Sequence, residues 1–424
     1  MNYKSIELQY LSRRGFLKQL THESELDNFF AEGKKITFYI GFDCTAKSLH
    51  AGHLIPIMIA RYLVKMGHKA IIILGTTTAK IGDPSLKSEQ RKLLSAEAVE
   101  ENYNSISKII TKFIQSEDNP PIFLKNDWLE EAGLVDFLVK YGSHFSVNRM
   151  VSMETFSERL KNHRPLSFLE FSYSLFQAYD FAHLYKKYNC QLQIGGSDQW
   201  GNIVAGLDLC QKLHNGSEVF GATVNLLLNS SGEKMGKTVG GAVWLNSDMF
   251  EPFDYWQYFR NVDDADIMKI MNLLTDVSDE EIDRITDNLR NISNAKEINE
   301  IKILLATKVT EICHGVDVAK QVEFNSRAKF SQSDDFSNAN PDLILSEKEI
   351  DNLTFIEFIK KLTPENSNSQ IKTLISQNSI RINGDSINDL MFKITSKNFK
   401  HFDKKNFCIL EVGKKKKFVI EIKD

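Results

Sequence analysis

"KITFYIGFDCTAKSLHAGHLIPIMIARYLVKMGHKAIIILGTT", Lys35 to Thr77, is the stretch that decides the fold. It opens with "KITFYIGF", an apolar run rich in β-branched and aromatic side chains, as a buried strand requires. "LHAGHLIPIMIARYLVKMG" then places apolar residues at Leu54, Ile55, Met58, Ile59 and Tyr62, the spacing of one helix face. "HKAIIILGTT" reads as a second buried strand. Strand, helix and strand within about forty residues make a crossover unit, and such a unit joins parallel neighbours in one sheet.

The pattern continues outward. "CQLQIGG" reads as another strand, and "SDQWGNIVAGLDLCQKLHN" as the helix after it, with Ser197 as its expected N-cap. Residues 1–224 are therefore expected to form a doubly wound, parallel-sheet α/β domain of Rossmann-like type. Residues 225–250 hold a glycine-rich loop and connector. Residues 251–326 turn almost wholly helical, as in "DADIMKIMNLLTDVSDEEIDRITDNL", with an internal cap at Ser278. "NSRAKFSQSDDFSNANP", Asn325 to Pro341, is polar and turn-rich, so 327–352 reads as a linker. From 353 to 424 a small α+β domain is expected, with an Asn-Gly turn in "RINGD".

A chain of 424 residues, 42% hydrophobic and 10% aromatic, has material for two or three domains and a sizeable core. "LIPIMIA" is too short to span a bilayer, and "MNYKSIELQYLSRRGF" lacks an apolar signal core, so a cytoplasmic protein without a membrane partner is expected. No two of Cys44, Cys190, Cys210, Cys313 and Cys408 form a CxxC pair, which argues against a disulfide framework or structural zinc. The formal charge of −4 hides an asymmetry. From Asp351 onward there are 14 Lys and Arg against 9 Asp and Glu, including "KKKK" at Lys414 to Lys417. A basic tail on an acidic body suggests a polyanionic partner, though a solvated lysine-rich end reads equally well from charge alone.

In a doubly wound sheet, ligands gather outside the carboxyl ends of the strands. "LHAGHL" stands at such a corner. A helix N-terminus there suits phosphate, Gly52 permits close approach of a nucleotide, and His50 and His53 can donate to phosphate oxygens. "SGEKMGKTVGGAVW" adds Lys234 and Lys237 in a glycine-rich loop, suited to a moving pyrophosphate charge. In "GGSDQWGN", Asp198 can accept from ribose hydroxyls. Each has a bland alternative: surface histidines, a lysine-bearing hairpin, a helix start.

Taken together, "LHAGHL" as an HxGH motif, "KMGKT" in place of a KMSKS loop and "GGSDQWGN" resemble a class I aminoacyl-tRNA synthetase. "YIGFD", "IGDPS" and "FSYSLFQAYDF" narrow the resemblance to tyrosyl-tRNA synthetases of bacterial type, over essentially the whole chain. It implies activation of L-tyrosine with ATP to tyrosyl-adenylate, then transfer to the terminal adenosine of tRNA(Tyr). It further implies that Tyr39 and Asp180 meet the phenol hydroxyl, that Asp83, Tyr173 and Gln177 hold the ammonium, and that Gln199 lies near the carboxylate. Tyr173, Gln177 and Asp180 fall at i, i+4 and i+7, one helix face. Gly41, Asp43, Gly52, Gly196 and Asp198, with Lys234 and Lys237, are the implied ATP contacts. Thr45, His50 and His53 are implied at the phosphates. Lys87, Arg91, Lys234, Lys237 and Thr238 are implied to close over the pyrophosphate. Magnesium is expected with ATP, and no other metal.

Departures from the pattern carry expectations of their own. Cys44 stands where proline is frequent, and Ile40 cannot offer a hydrogen bond to ribose. Gly236 replaces the first serine of KMSKS and is expected to loosen the loop. In the tail, the resemblance is to a small ribosomal-protein-like RNA-binding domain, implying RNA contacts from Lys372, Arg381, Lys414 and Lys415, with Lys404 and Lys405 nearby. A homodimer is implied, with "HFSVNRMVSMETFSERL" and "PLSFLEF" at its interface and Phe168 near the two-fold axis. The rival readings are another HxGH nucleotidyltransferase, the tryptophan-specific relative, and a non-catalytic RNA-binding paralogue.

Overall fold

The strands of the main sheet are β1 (Leu17–Leu20), β2 (Thr37–Asp43), β3 (Lys69–Gly75), β4 (Ile122–Lys125), β5 (Cys190–Gly196) and β6 (Phe220–Val224). Their spatial order is β1-β6-β5-β2-β3-β4. β2 through β6 are mutually parallel, and β2 and β3 pair in register from Thr37↔Lys69 to Asp43↔Gly75. Helices cover both faces, which is why "AIIIL" in β3 is buried on every side. β1 is the one antiparallel strand of this sheet, and Lys18 and Gln19 interrupt its apolar pattern. The computed structural model describes residues 3–81, 83, 94–114, 116–238, 241–291, 295–330, 341–351, 353–402, 405–413 and 416–423.

Strand order reverses between β2 and β5, so a crevice opens at their carboxyl ends. Three turns feed it. After β2 the chain reaches a 3₁₀ turn, Ala51–His53, which leads into the helix Leu54–Lys65. β4 is followed by Asn126 and a 3₁₀ turn, Asp127–Leu129. β5 runs into a third 3₁₀ turn, Ser197–Gln199, and then the helix Trp200–Leu213. Ser197 is thus not an N-cap: it lies inside that turn, and neither the turn nor the helix carries a side-chain cap.

The chain divides into two compact units, Met1–Val316 and Asp317–Asp424. The first includes the helices Pro252–Arg260, Ile267–Leu274, Asp279–Asn291 and Ala295–His314. Tyr255, Trp256 and Phe259 fill their core, and Trp256 Nε1 donates to Thr307 Oγ1 at 3.0 Å. Ser278 Oγ accepts the Glu281 N–H at 3.3 Å, the expected cap. Arg14 Nε donates to Asp279 Oδ1 at 2.9 Å and Arg61 Nε to Asp276 Oδ2 at 3.1 Å, tying these helices to the sheet domain.

The second unit holds a sheet in the order Asp385–Ser386, Ile380–Ile382, Lys405–Val412, Lys416–Lys423, Leu343–Ser346. Asn383 and Gly384 have φ of 51° and 95°, the two left-handed residues of a type I′ hairpin turn. The expected linker at 327–352 needs correction. The helix Val316–Phe330 runs into it, and Leu343–Ser346 pairs in parallel with Lys416–Lys423 as part of the sheet. A four-residue strand, "LILS", beside a polar run leaves too weak a periodicity to detect.

Candidate active site

Tyr39 sits in mid-β2, between Ile71 of β3 and Gln193 of β5, and packs against Phe181 with ring centroids 5.7 Å apart. It is 3% exposed, and its hydroxyl has no hydrogen-bond partner among the described residues. Burial, with Asp180 adding to it, pushes the phenol well above its usual value. Asp180 lies on the helix Tyr173–Tyr188, which ends at Asn189 in the left-handed region. It is buried, with Oδ1 accepting from Trp128 Nε1 at 2.7 Å and Oδ2 from Asn126 Nδ2 at 3.3 Å. Burial raises the Asp180 carboxyl to about 7 against the pull of those two bonds. A buried hydroxyl without a partner beside a buried carboxylate costs stability, and a bound phenol would satisfy both.

Toward the strand ends the same helix face continues. Tyr173 Oη donates to Asp43 at 3.4 Å, and Asp43 also accepts from Thr78 Oγ1 at 2.9 Å. Asn202 Nδ2 donates to both Gln177 Oε1 (3.1 Å) and Gln199 Oε1 (3.2 Å). Gln199 Nε2 in turn reaches Asp83 Oδ2 at 2.6 Å. These bonds make two clusters, Tyr173–Asp43–Thr78 and Gln177–Asn202–Gln199–Asp83, and the helix that carries both Tyr173 and Gln177 relates them. Asp198 is close by: burial and Asp83 raise its carboxyl, and Lys234 opposes them.

The two imidazoles stand 4.1 Å apart between centroids. His50 Nδ1 accepts the Gly52 N–H at 3.1 Å, and His53 Nδ1 accepts the His50 N–H at 3.2 Å. Both Nδ1 atoms are acceptors, so each neutral ring carries its proton on Nε2. Burial, with His50 beside it, holds His53 down at about 3, so its neutral form is the one present at physiological pH. The glycine loop lies on this corner. Gly236 has φ of 93°, and a Cβ there would fall 2.6 Å from Gly52 N and 3.1 Å from His50 Nδ1. This corrects the expectation that Gly236 loosens the loop: it is buried, and the missing side chain is what lets the loop close on the turn.

Residues 31–331 match the family profile of the class I tRNA synthetases (W and Y). The chain is 44% identical over 422 residues, 98% of each chain, to the tyrosine–tRNA ligase of Wolbachia sp. subsp. Brugia malayi. It is 42% identical to that of Ehrlichia canis, covering 100% of this chain and 99% of that one. The chain belongs to the tyrosine–tRNA ligases. Among solved structures, a C-terminally truncated mitochondrial tyrosyl-tRNA synthetase of Aspergillus nidulans superposes with a TM-score of 0.67 at 25% identity, over 76% of this chain and 94% of that one.

In this ligase, Asn126 and Trp128 escaped the sequence reading. Their only signal is "KNDWL" directly after the β4 strand, at a carboxyl end where the sheet gathers its ligands. Trp128 is itself oriented by stacking on His183, with centroids 4.4 Å apart and planes 9° apart. Gly41 is exposed in β2, Thr45 is exposed after it, and Gly196 ends β5. Lys234 is exposed and bridges to Leu228. Lys237 and Thr238 form a short strand whose side chains lie outside the described residues, as do Lys87 and Arg91 altogether. Ile40, 1% exposed, is a core residue, and Cys44 is fully buried with its carbonyl accepting from Asn102 at 2.9 Å.

In the second unit, Lys372 and Arg381 are exposed, while Lys404, Lys414 and Lys415 lie outside the described residues. Lys416 pairs with Glu365, and Lys417 with Glu411 at 3.2 Å, so half of the lysine run is already matched by acids. Phe168 is 77% exposed, and Leu134, Val135, Val139 and Val147 are exposed with it.

Proposed function

We propose that the crevice reads tyrosine from the phenol end and closes positive charge over ATP at the other. Tyr39 and Asp180 bind the phenol hydroxyl, with Asn126 and Trp128 holding the Asp180 carboxylate toward it. Asp83, Tyr173 and Gln177 take the ammonium, and Gln199 lies beside the substrate carboxylate. Gly41, Asp43, Gly196 and Asp198 line the adenosine, and Gly52 lies under the nucleotide. The observation that carries this reading is the buried Tyr39 hydroxyl, without a partner among the described residues and within the field of the buried Asp180 carboxylate.

A tyrosine carboxylate oxygen attacks the α-phosphorus of ATP. The new O–P bond forms as the bond to the β-phosphate oxygen breaks, giving tyrosyl-adenylate and pyrophosphate. The nucleophile is already an anion, so positioning and charge stabilisation supply the catalysis. Thr45, His50 and His53 serve the phosphates, the histidines as Nε2 donors. Lys87, Arg91, Lys234, Lys237 and Thr238 meet the departing pyrophosphate. Magnesium enters as the counter-ion of ATP, held by phosphate oxygens. A ribose hydroxyl of the terminal tRNA adenosine then attacks the activated carbonyl, loses its proton and expels AMP.

The enzyme acts as a homodimer in the cytoplasm, with the exposed Phe168 side chain covered by a second copy. No helix among the described residues is long and apolar enough to cross a membrane. Lys372, Arg381, Lys414 and Lys415 contribute tRNA phosphate contacts. The organisation is a catalytic body at 1–224, a loop and connector at 225–250, a helical anticodon-binding region from 251 to the end of the first unit at Val316, and a basic RNA-binding tail within the second unit, Asp317–Asp424.

Tyrosine-dependent exchange of radiolabelled pyrophosphate into ATP tests the reading, with phenylalanine and tryptophan as controls. Exchange with tyrosine alone supports it. Exchange with tryptophan would point to the relative of that specificity, and none at all to a non-catalytic paralogue.

A further inference from the structure

The loop that carries Lys234 and Lys237 is held by the helical region, and one contact falls between the two lysines. The Gly236 N–H donates to Tyr258 Oη at 3.0 Å. On its other side the Gly236 carbonyl accepts the Val243 N–H at 3.0 Å, and the Val243 carbonyl accepts the Ala51 N–H at 2.9 Å. The peptide between the lysines is thus fixed from two directions, and from Val243 the chain of bonds passes into the His50–His53 turn. Tyr258 can hold this position because its own helix, Pro252–Arg260, is anchored by fully buried Trp256 and Phe259. The base of the loop is tied to the same region. Ser230 N–H donates to Asp266 Oδ2 at 2.9 Å, Ser230 Oγ to Asp263 Oδ2 at 3.1 Å, and Lys269 Nζ to the Leu228 carbonyl at 2.6 Å.

We propose that Tyr258 is a positioning residue for adenylation: its hydroxyl latches the Gly236 peptide against the His50–Gly52 turn and so aims the flanking lysines at the leaving phosphates. The inference rests on the function proposed above. It differs from a structural account of Tyr258, because only the hydroxyl, and not the ring, is needed at the loop. It also explains why glycine suits position 236. With φ of 93° and a Cβ position 2.6 Å from Gly52 N, a side chain there would push the peptide off both the turn and the hydroxyl.

Tyr258→Phe is the test, since it keeps the ring and removes the hydroxyl. Single-turnover measurement of tyrosyl-adenylate formation should show a rate about fivefold lower, the effect of one ordinary hydrogen bond lost in the transition state. The dissociation constant for tyrosine should stay at the wild-type value. In a Lys234→Ala background the same substitution should add less than about twofold, because residues acting through one element are not additive. An unchanged rate in Tyr258→Phe would overturn the proposal. So would a loss that persists undiminished beside Lys234→Ala, or an equal weakening of tyrosine binding. Failure of the wild-type enzyme to exchange pyrophosphate would instead sink the function on which it rests.

Discussion

At the phenol end of the crevice, Tyr39 is carried by β2, Asp180 by one long helix, and Asn126 and Trp128 by the turn directly after β4, all buried or half-buried. At the phosphate end, Thr45 and Lys234 are exposed side chains on connecting segments. The first region stores cost: a hydroxyl without a partner among the described residues and a carboxylate raised to about 7. The second keeps the Lys234 charge in water until the substrate brings the opposite sign. The contrast follows from the two tasks. Discrimination between tyrosine and phenylalanine needs polar groups that lose by being left unsatisfied. Pyrophosphate departure needs charge that is stabilising mainly in the transition state.

The largest effect that would break this contrast is in specificity. A site built to bond a substrate hydroxyl rejects the analogue lacking it by about 10⁴–10⁵, a range whose worked example is tyrosine against phenylalanine in this same enzyme family. Asp180→Ala should therefore lower the tyrosine-to-phenylalanine ratio of kcat/KM by about 10³ or more, read by pyrophosphate exchange with each amino acid. Discrimination that survives the substitution would take Asp180 out of the selective role. Next in size is Lys234→Ala. Loss of one charge-stabilising donor should slow adenylation by about 10²–10³, while the tyrosine dissociation constant moves less than about twofold. Equal losses in both would mean that the phosphate end binds in the ground state, as the phenol end does.

A third prediction sharpens the comparison through pH. The folded protein holds the Asp180 carboxyl at about 7, above its value in the unfolded chain. Between the ordinary carboxylate range and 7 the folded state therefore binds the extra proton, and apoenzyme stability falls as pH rises. Tyrosine binding runs the other way. The phenol donates to the ionised carboxylate, so affinity weakens as pH drops below about 7, approaching tenfold per unit. Asp180→Asn should flatten both dependences, in thermal melts of the apoenzyme and in fluorescence titrations with tyrosine. Parallel slopes in the wild type, with binding and stability rising together, would contradict the stored cost.

The same division governs what could be read from the chain. The crossover unit, the β5 strand with the helix after it, and the Tyr173–Gln177–Asp180 face were legible because strand and helix periodicities fix which side chains share a face. Asn126 and Trp128 were not, because they follow a four-residue strand in a turn where no period operates. The role of Gly236 was misread for a related reason. Sequence reports the freedom of a glycine, and only the approach of Gly52 from nearly two hundred residues away reveals that the freedom is used to pack closely. Leu343–Ser346 was hidden by shortness, its strand character coming from pairing with Lys416–Lys423 rather than from its own pattern.

The smallest effect belongs to the second unit, where the lysine and arginine side chains assigned to RNA and described, Lys372 and Arg381, face solvent. Lys372 is exposed on the helix Asn368–Ser376. If it contacts a tRNA phosphate, binding releases a counterion, and Lys372→Ala should reduce the slope of log K against log salt by about one. Affinity should fall by only a few-fold, equally for cognate and other tRNAs, since a phosphate contact carries no sequence information. Lys417→Ala supplies the contrast. Its ammonium already faces Glu411 at 3.2 Å, so tRNA must compete with that acid and the slope should change less. Filter binding across a salt series measures both. A larger slope change for Lys417 than for Lys372 would show that the strand Lys416–Lys423, and not the helix, carries the electrostatic contact, and that pairing within the unit does not protect it.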